Sequence, residues 1–128
     1  MAFSTILTPD DLKKGDLVEA GWYPVEITNY EEKEADTDKS TNCIFHYKII
    51  DGVSKGVSPR SQFNEKALGF GKELWKALEF PFEEGVGYKL STDLFRQTVG
   101  SKLEIYIKRG KSNKGNDFNE VAGYRKMK

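Results

Sequence analysis

One cysteine, one histidine and four prolines are all that this chain of 128 residues holds of those types, and its charges cancel, 20 Lys and Arg against 20 Asp and Glu. Cys43 has no second thiol with which to form an internal disulfide, in keeping with a reducing compartment. With His46 it makes only two soft ligands, too few for a zinc site of the Cys/His kind. No apolar run nears the roughly 18 residues that would cross a bilayer. The start "MAFSTILTPDDLKKGDL" lacks the cationic head and long apolar stretch of a secretory signal. The expectation is a soluble intracellular protein without membrane contact. The length suits a single domain over 1–128, with 1–20 as an N-terminal appendage and 21–128 as its body.

Neutrality hides a segregation of charge. Residues 101–128 carry eight cations against three anions (Glu104, Asp117, Glu120), a balance of +5, so the preceding hundred residues sum to −5. The cations concentrate around one turn, "IKRGKSNKGNDF" at 107–118. Such a polar chain suits a molecule with one adhesive side.

Period-two alternation marks the strands. In "GWYPVEITNY", Tyr23, Val25 and Ile27 point inward and Trp22, Glu26, Thr28 and Tyr30 outward; "TNCIFHYKII" repeats the pattern with Cys43, Phe45, Tyr47 and Ile49 inside and Ile44, His46 and Lys48 outside. After the turn residues Asp51-Gly52 and Gly56, "VSPRSQF" is a short third strand that Pro59, having no N–H, demotes to an edge or a bulge. "NEKALGFGKELWKALEF" is the one clear helix: Ala67, Leu68, Leu74, Trp75 and Leu78 form a stripe, and Gly69 and Gly71 delay the regular part to about Lys72. Residues 80–100 read as loop, with a short turn capped by Thr92 and closed by Gly100. "SKLEIYIKR" and "FNEVAGYRKMK" close the chain as a two-stranded hairpin, and "TPDDLKKG" offers a helical turn capped by Thr8 with Pro9 at its first position. Three strands, a helix and two more strands make the fold mainly β, a five-stranded OB-fold barrel with one helix between strands 3 and 4 and a short N-terminal helical turn. An α+β sandwich of the same elements is the alternative.

Enzyme signatures fail one by one. "GKS" at 110–112 lacks the earlier glycine of a phosphate loop, that position being Ile105. "DTDKS" at 36–40 begins like a calcium loop but has Thr41 sixth and Tyr47 twelfth. His46 and Cys43 fall on opposite faces of a regular strand, and Glu83-Glu84 are adjacent in a loop, so neither pair divides acid from base or nucleophile from base. The chain is expected not to be an enzyme and to need no cofactor or metal.

Binding fares better. Around the cationic hairpin stand Tyr106, Phe118 and Tyr124, and the first strand adds Trp22 and Tyr30. Cations attract phosphates without reading sequence, and flat rings stack on unpaired bases, so the combination suits a sequence-tolerant single-strand binder. The rival is a solvated lysine-rich hairpin that merely guards a sheet edge.

The stretches "GWYPVEITNYEEKEADTDKSTNCIFHYKIIDGVSKG", "FGKELWKAL" and "VGSKLEIYIKRGKSNKGNDFNEVAGYRK" together resemble phage-encoded single-stranded-DNA-binding proteins of the OB-fold type, a group formerly carried as an unassigned phage domain. The resemblance spans most of 20–126. It implies protection of displaced strands in phage DNA replication or recombination, in the host cytoplasm, through the concave barrel face and the loop 110–116. On that reading Lys48, Arg60, Lys108, Arg109, Lys111, Lys114 and Arg125 hold phosphates, while Trp22, Tyr30, Tyr106, Phe118 and Tyr124 stack bases. The partners implied are single-stranded DNA, RNA being tolerated by the same contacts, and replication or recombination proteins, for a monomer or small homo-oligomer. The chain departs from the pattern in ending "YRKMK" instead of an acidic tail, and in the acids Glu31, Glu32, Glu34, Asp36 and Asp38 between its first two strands, which repel phosphate. The alternative function is a protein-interaction or virion-structural module that binds no nucleic acid.

Overall fold

The structure, a computed structural model, describes residues 2–127, with every side chain but that of Asp10. Its order is α1 (Pro9–Lys13), β1 (Gly21–Glu34), β2 (Thr41–Ile49), β3 (Arg60–Asn64), a 3-10 segment (Glu65–Gly71), α2 (Lys72–Ala77), β4 (Phe82–Glu83), β5 (Gly87–Tyr88), α3 (Thr92–Arg96), β6 (Lys102–Lys111) and β7 (Asp117–Arg125). Five strands form one antiparallel sheet in the order β3-β2-β1-β6-β7, and β4 and β5 pair separately as a small hairpin. The fold is mainly β, as the alternation implies. None of the described helices is long and apolar enough to cross a membrane.

The sheet is not closed into a barrel, contrary to expectation. Its edges β3 and β7 approach one another, but no ladder joins them. β3 is only five residues long and follows Pro59, and side chains take up the seam instead: the Ser61 and Tyr124 hydroxyls lie 2.6 Å apart, and the rings of Phe63 and Tyr124 are 6.3 Å apart.

The inner face carries the core. Val25 and Ile27 of β1, Phe45, Tyr47 and Ile49 of β2, and Leu103, Ile105 and Ile107 of β6 are fully buried, the inward set that alternation assigns. Two bulges change the phase. Ile27 faces Tyr47 and Asn29 faces His46, so Thr28 is an extra residue; Tyr106 faces Gly123 and Ile107 faces Val121, so Ala122 is another. Each inserted residue turns the remainder of its strand to the opposite face.

The single helix expected between the third and fourth long strands is a 3-10 segment followed by a six-residue α2, as the two glycines require; α3 forms at the short turn expected before Gly100, and the β4–β5 hairpin lies in the stretch expected to be loop. The cap of α3 is Ser91, whose hydroxyl accepts from the Leu94 N–H, and not Thr92. α2 and α3 cover the core through a stack of rings: Trp75 lies parallel to Phe95 at 5.0 Å and to Phe80 at 5.7 Å, and its indole N–H donates to the Leu68 carbonyl at 2.9 Å. Gly71 makes room for that indole, since a Cβ there would stand 2.5 Å from Trp75 Cζ2. Gly71→Ala is therefore expected to cost about 1–3 kcal/mol through overpacking, read as a lower urea midpoint with an unchanged slope.

The segment before β1 is tied to the sheet. Thr8 caps α1 and its hydroxyl and N–H both meet the Asp11 carboxylate, the reciprocal arrangement of a capping box. Further on, the Ser58 N–H donates to the Lys14 carbonyl, and Asn119 of β7 bonds both the Val18 N–H and the Asp16 carbonyl. Residues 14–18 thus bridge from the start of β3 to β7.

Candidate nucleic-acid interface

Paired residues in an antiparallel sheet share a face, so register decides which functional side chains can meet. On β6 the outward residues are Glu104, Tyr106, Lys108 and Gly110, and their partners on β7 are Arg125, Gly123, Glu120 and Phe118. On β1, Trp22 is the partner of Tyr106. Five of the sequence-predicted residues therefore converge on one outer strip: Trp22, Tyr106, Arg125, Lys108 and Phe118.

The strip is ordered. Trp22, 39% exposed, meets Tyr106 edge to face at 5.5 Å, and the Arg125 guanidinium lies 4.1 Å from the centre of the indole. Arg125 Nε also donates to the Glu104 carboxylate at 2.8 Å. Gly123 lies beneath both rings: a Cβ on it would stand 3.3 Å from Tyr106 Cβ, which is tight, and 3.4 Å from Trp22 Cη2, in van der Waals contact. One step along the outward face, Lys108 pairs with Glu120 at 3.2 Å. At the far end the Phe118 ring lies on Gly110, where a Cβ would stand 2.7 Å from its Cζ, and the ring remains 41% exposed. Rings and cations alternate along roughly 7 Å steps of one strand face.

Because Gly21 is the partner of Ile107, β6 continues past the start of β1, and Lys108–Lys111 with 117–120 stand out as a ribbon. Its cations divide between two faces. Arg109 and Lys111 point away from the strip and share the Asp117 carboxylate, at 3.9 and 3.6 Å, while Lys114 sits in the turn 112–116. Exposed pairs of this kind contribute little to stability, so a phosphate can replace the carboxylates without unfolding the ribbon.

Beside the ribbon, the open seam between β3 and β7 is a groove of about 580 Å³. Arg60 and Lys14 bring cations to its walls, and Phe63, Phe118 and Tyr124 bring rings. Arg60 lines the same groove as Phe118, and on the sheet it is the partner of His46, with Glu31 within reach of its charge. Lys48 of β2 stands apart, opposite Glu26 of β1.

Two expected stacking rings turn toward the core instead. Tyr30 is 7% exposed, packed between Phe45 and Phe95 at 5.0 and 5.5 Å, and its hydroxyl donates to Glu32 at 2.6 Å. Tyr124 faces inward with Ile105 and is held at Ser61. Each lies just beyond a bulge, Tyr30 after Thr28 and Tyr124 after Ala122, and the inserted residue is the physical reason for both corrections. Burial raises the pKa of both phenols and so holds them neutral, and it does the same to Tyr47, whose hydroxyl is buried without a hydrogen-bond partner among the described residues.

Residues that sequence reasoning passed over complete the site: Glu104, which holds Arg125, and Gly110 and Gly123, which seat the two rings. Glycine inside a strand is a signal of close approach, and both glycines carried it. Three of the five acids expected between the first two strands, Glu31, Glu32 and Asp38, are engaged locally. Hydrogen bonds from Lys66 and Ser40 pull the Asp38 carboxyl down to about 2, a hydrogen bond with His46 lowers Glu31, and bonds from Thr92 and Tyr30 lower Glu32. Among the described residues no group of three or more His, Cys, Asp or Glu could hold a metal ion.

A family model described as "Protein of unknown function (DUF669)" matches residues 9–128. No curated protein matches the chain.

Proposed function

From the premise that this chain belongs to the DUF669 family over residues 9–128, we propose that it is a non-enzymatic, sequence-tolerant single-stranded-DNA-binding protein serving phage DNA replication or recombination in the host cytoplasm. The observation that carries the reading is the outer strip of β1, β6 and β7, where Arg125, then Trp22 and Tyr106, then Lys108, then Phe118 share one face. Exposed rings accept the faces of unpaired bases, and the cations between them accept the phosphates that join those bases. Duplex DNA keeps its base faces stacked and offers such a strip only its backbone. The fold we assign is an OB fold with an open seam, supported by the strand order, by the long shared β1 and by the helices that lie between the third and fourth long strands.

A rival reading as a protein-interaction module draws on exposed apolar side chains away from the strip, chiefly Phe3, Ile6, Phe70 and Phe82. Titration of labelled oligo(dT) against salt separates the two. Strand binding is expected to give log affinity falling linearly with log salt, at about −0.7 per phosphate neutralised. Lack of binding at low salt would leave the interaction module as the better account.

A further inference from the structure

Trp22 is hemmed in on the sheet. Tyr106 meets it edge-on, and Gly123 lies beneath its benzo edge; both belong to paired strands. A third neighbour is a long side chain. The Arg125 guanidinium lies over the indole at 4.1 Å and is tethered by a single ion pair to Glu104, with Arg125 itself half exposed. An exposed ion pair and an exposed cation–ring contact are among the weaker contacts a protein makes. A stacked base together with a phosphate salt link outweighs them.

We infer that Arg125 shields the indole in the free protein and is exchanged on binding: the base takes the place over Trp22, and the guanidinium leaves both ring and Glu104 for the phosphate beside that base. This rests on the strand-binding reading and adds to it a positioning role for Glu104, which holds the cation on the ring and competes with phosphate for it. The geometry has two consequences. Trp22 changes environment without any movement of the backbone. Removing the Glu104 charge tightens binding, because the guanidinium no longer has a carboxylate to abandon.

The test uses the full chain, a labelled oligo(dT) followed by anisotropy, and acrylamide quenching of the Trp22 emission, taken as the difference from a Trp22→Phe variant. In the free protein, Arg125→Ala is expected to make Trp22 more accessible to acrylamide. Oligo(dT) is expected to protect Trp22 in the wild type, Arg125→Ala to shallow the log–log salt slope by about 0.7, and Glu104→Gln to tighten binding roughly 1.5- to 5-fold. The exchange is overturned, with strand binding intact, if anisotropy reports a complex while Trp22 keeps its free emission and accessibility. It is equally overturned if Arg125→Ala leaves the salt slope unchanged or Glu104→Gln weakens binding. No anisotropy change at low salt overturns the exchange and the strand-binding reading together.

Discussion

Trp75→Ala is expected to lower the free energy of unfolding by about 3–5 kcal/mol, the usual cost of emptying a large buried aromatic site. The residue is 1% exposed, packed against Phe80 and Phe95, which also meet each other at 6.2 Å, flanked by Phe45 and Phe63, and hydrogen-bonded to the Leu68 carbonyl. Truncation removes the largest of three mutually packed rings and leaves that carbonyl without its donor. Several neighbours are themselves large rings anchored on separate elements, so the site cannot collapse easily, which places the loss at the upper end of the range. Against a typical total of about 5–15 kcal/mol, the variant should be marginal at 25 °C. Urea unfolding followed by far-ultraviolet circular dichroism reads the effect, and a loss under 1 kcal/mol would show that α2 and α3 do not cap the core through this ring stack.

Trp22→Ala should do the opposite: little to stability, much to binding. The ring's main contacts are one edge-on tyrosine and one guanidinium, above the buried Gly123, each worth around 0.5–1.5 kcal/mol or less in the free protein. A stacked base contributes about 1–3 kcal/mol, so affinity for oligo(dT) should fall roughly 5- to 150-fold. The salt slope should stay the same, because a ring neutralises no phosphate. Isothermal titration at two salt concentrations checks both parts. Unchanged affinity would remove the strip from the interface, and a changed slope would mean that Trp22 acts by positioning Arg125 and not by stacking.

The two tryptophans also show how far a pattern in the sequence reaches. Three- and four-residue spacing placed Trp75 on an apolar stripe, and period-two alternation placed Trp22 on the face away from Val25 and Ile27; the structure agrees with both. The same alternation put Tyr30 with Trp22 and Tyr124 with Phe118, and there it failed. Counting by twos holds only while each residue has a partner, and Thr28 and Ala122 have none. Nothing at Thr28 signals a bulge, whereas Gly123, beside Ala122, is the kind of residue that marks one. The salt links of the hairpin were equally hidden. Asp117 and Glu120 lie close in sequence to the cations they meet, but only strand register brings Lys108 to Glu120 and Arg109 and Lys111 to Asp117.

By itself the sequence determined the mainly β character, the inward set of β1, β2 and β6 up to the first bulge, the late start of α2, and the concentration of cations in the last quarter of the chain. These are properties of residue type and local spacing, which act over one strand or one helical turn. Only the tertiary structure decided that the sheet stays open between β3 and β7, that two tyrosines turn inward, and that Arg125 rests on Trp22 with Glu104 beside it. Those outcomes depend on pairing between residues on different strands, from Asn29 with His46 to Trp22 with Arg125, where a single unpaired residue reverses a face and no local preference reports it.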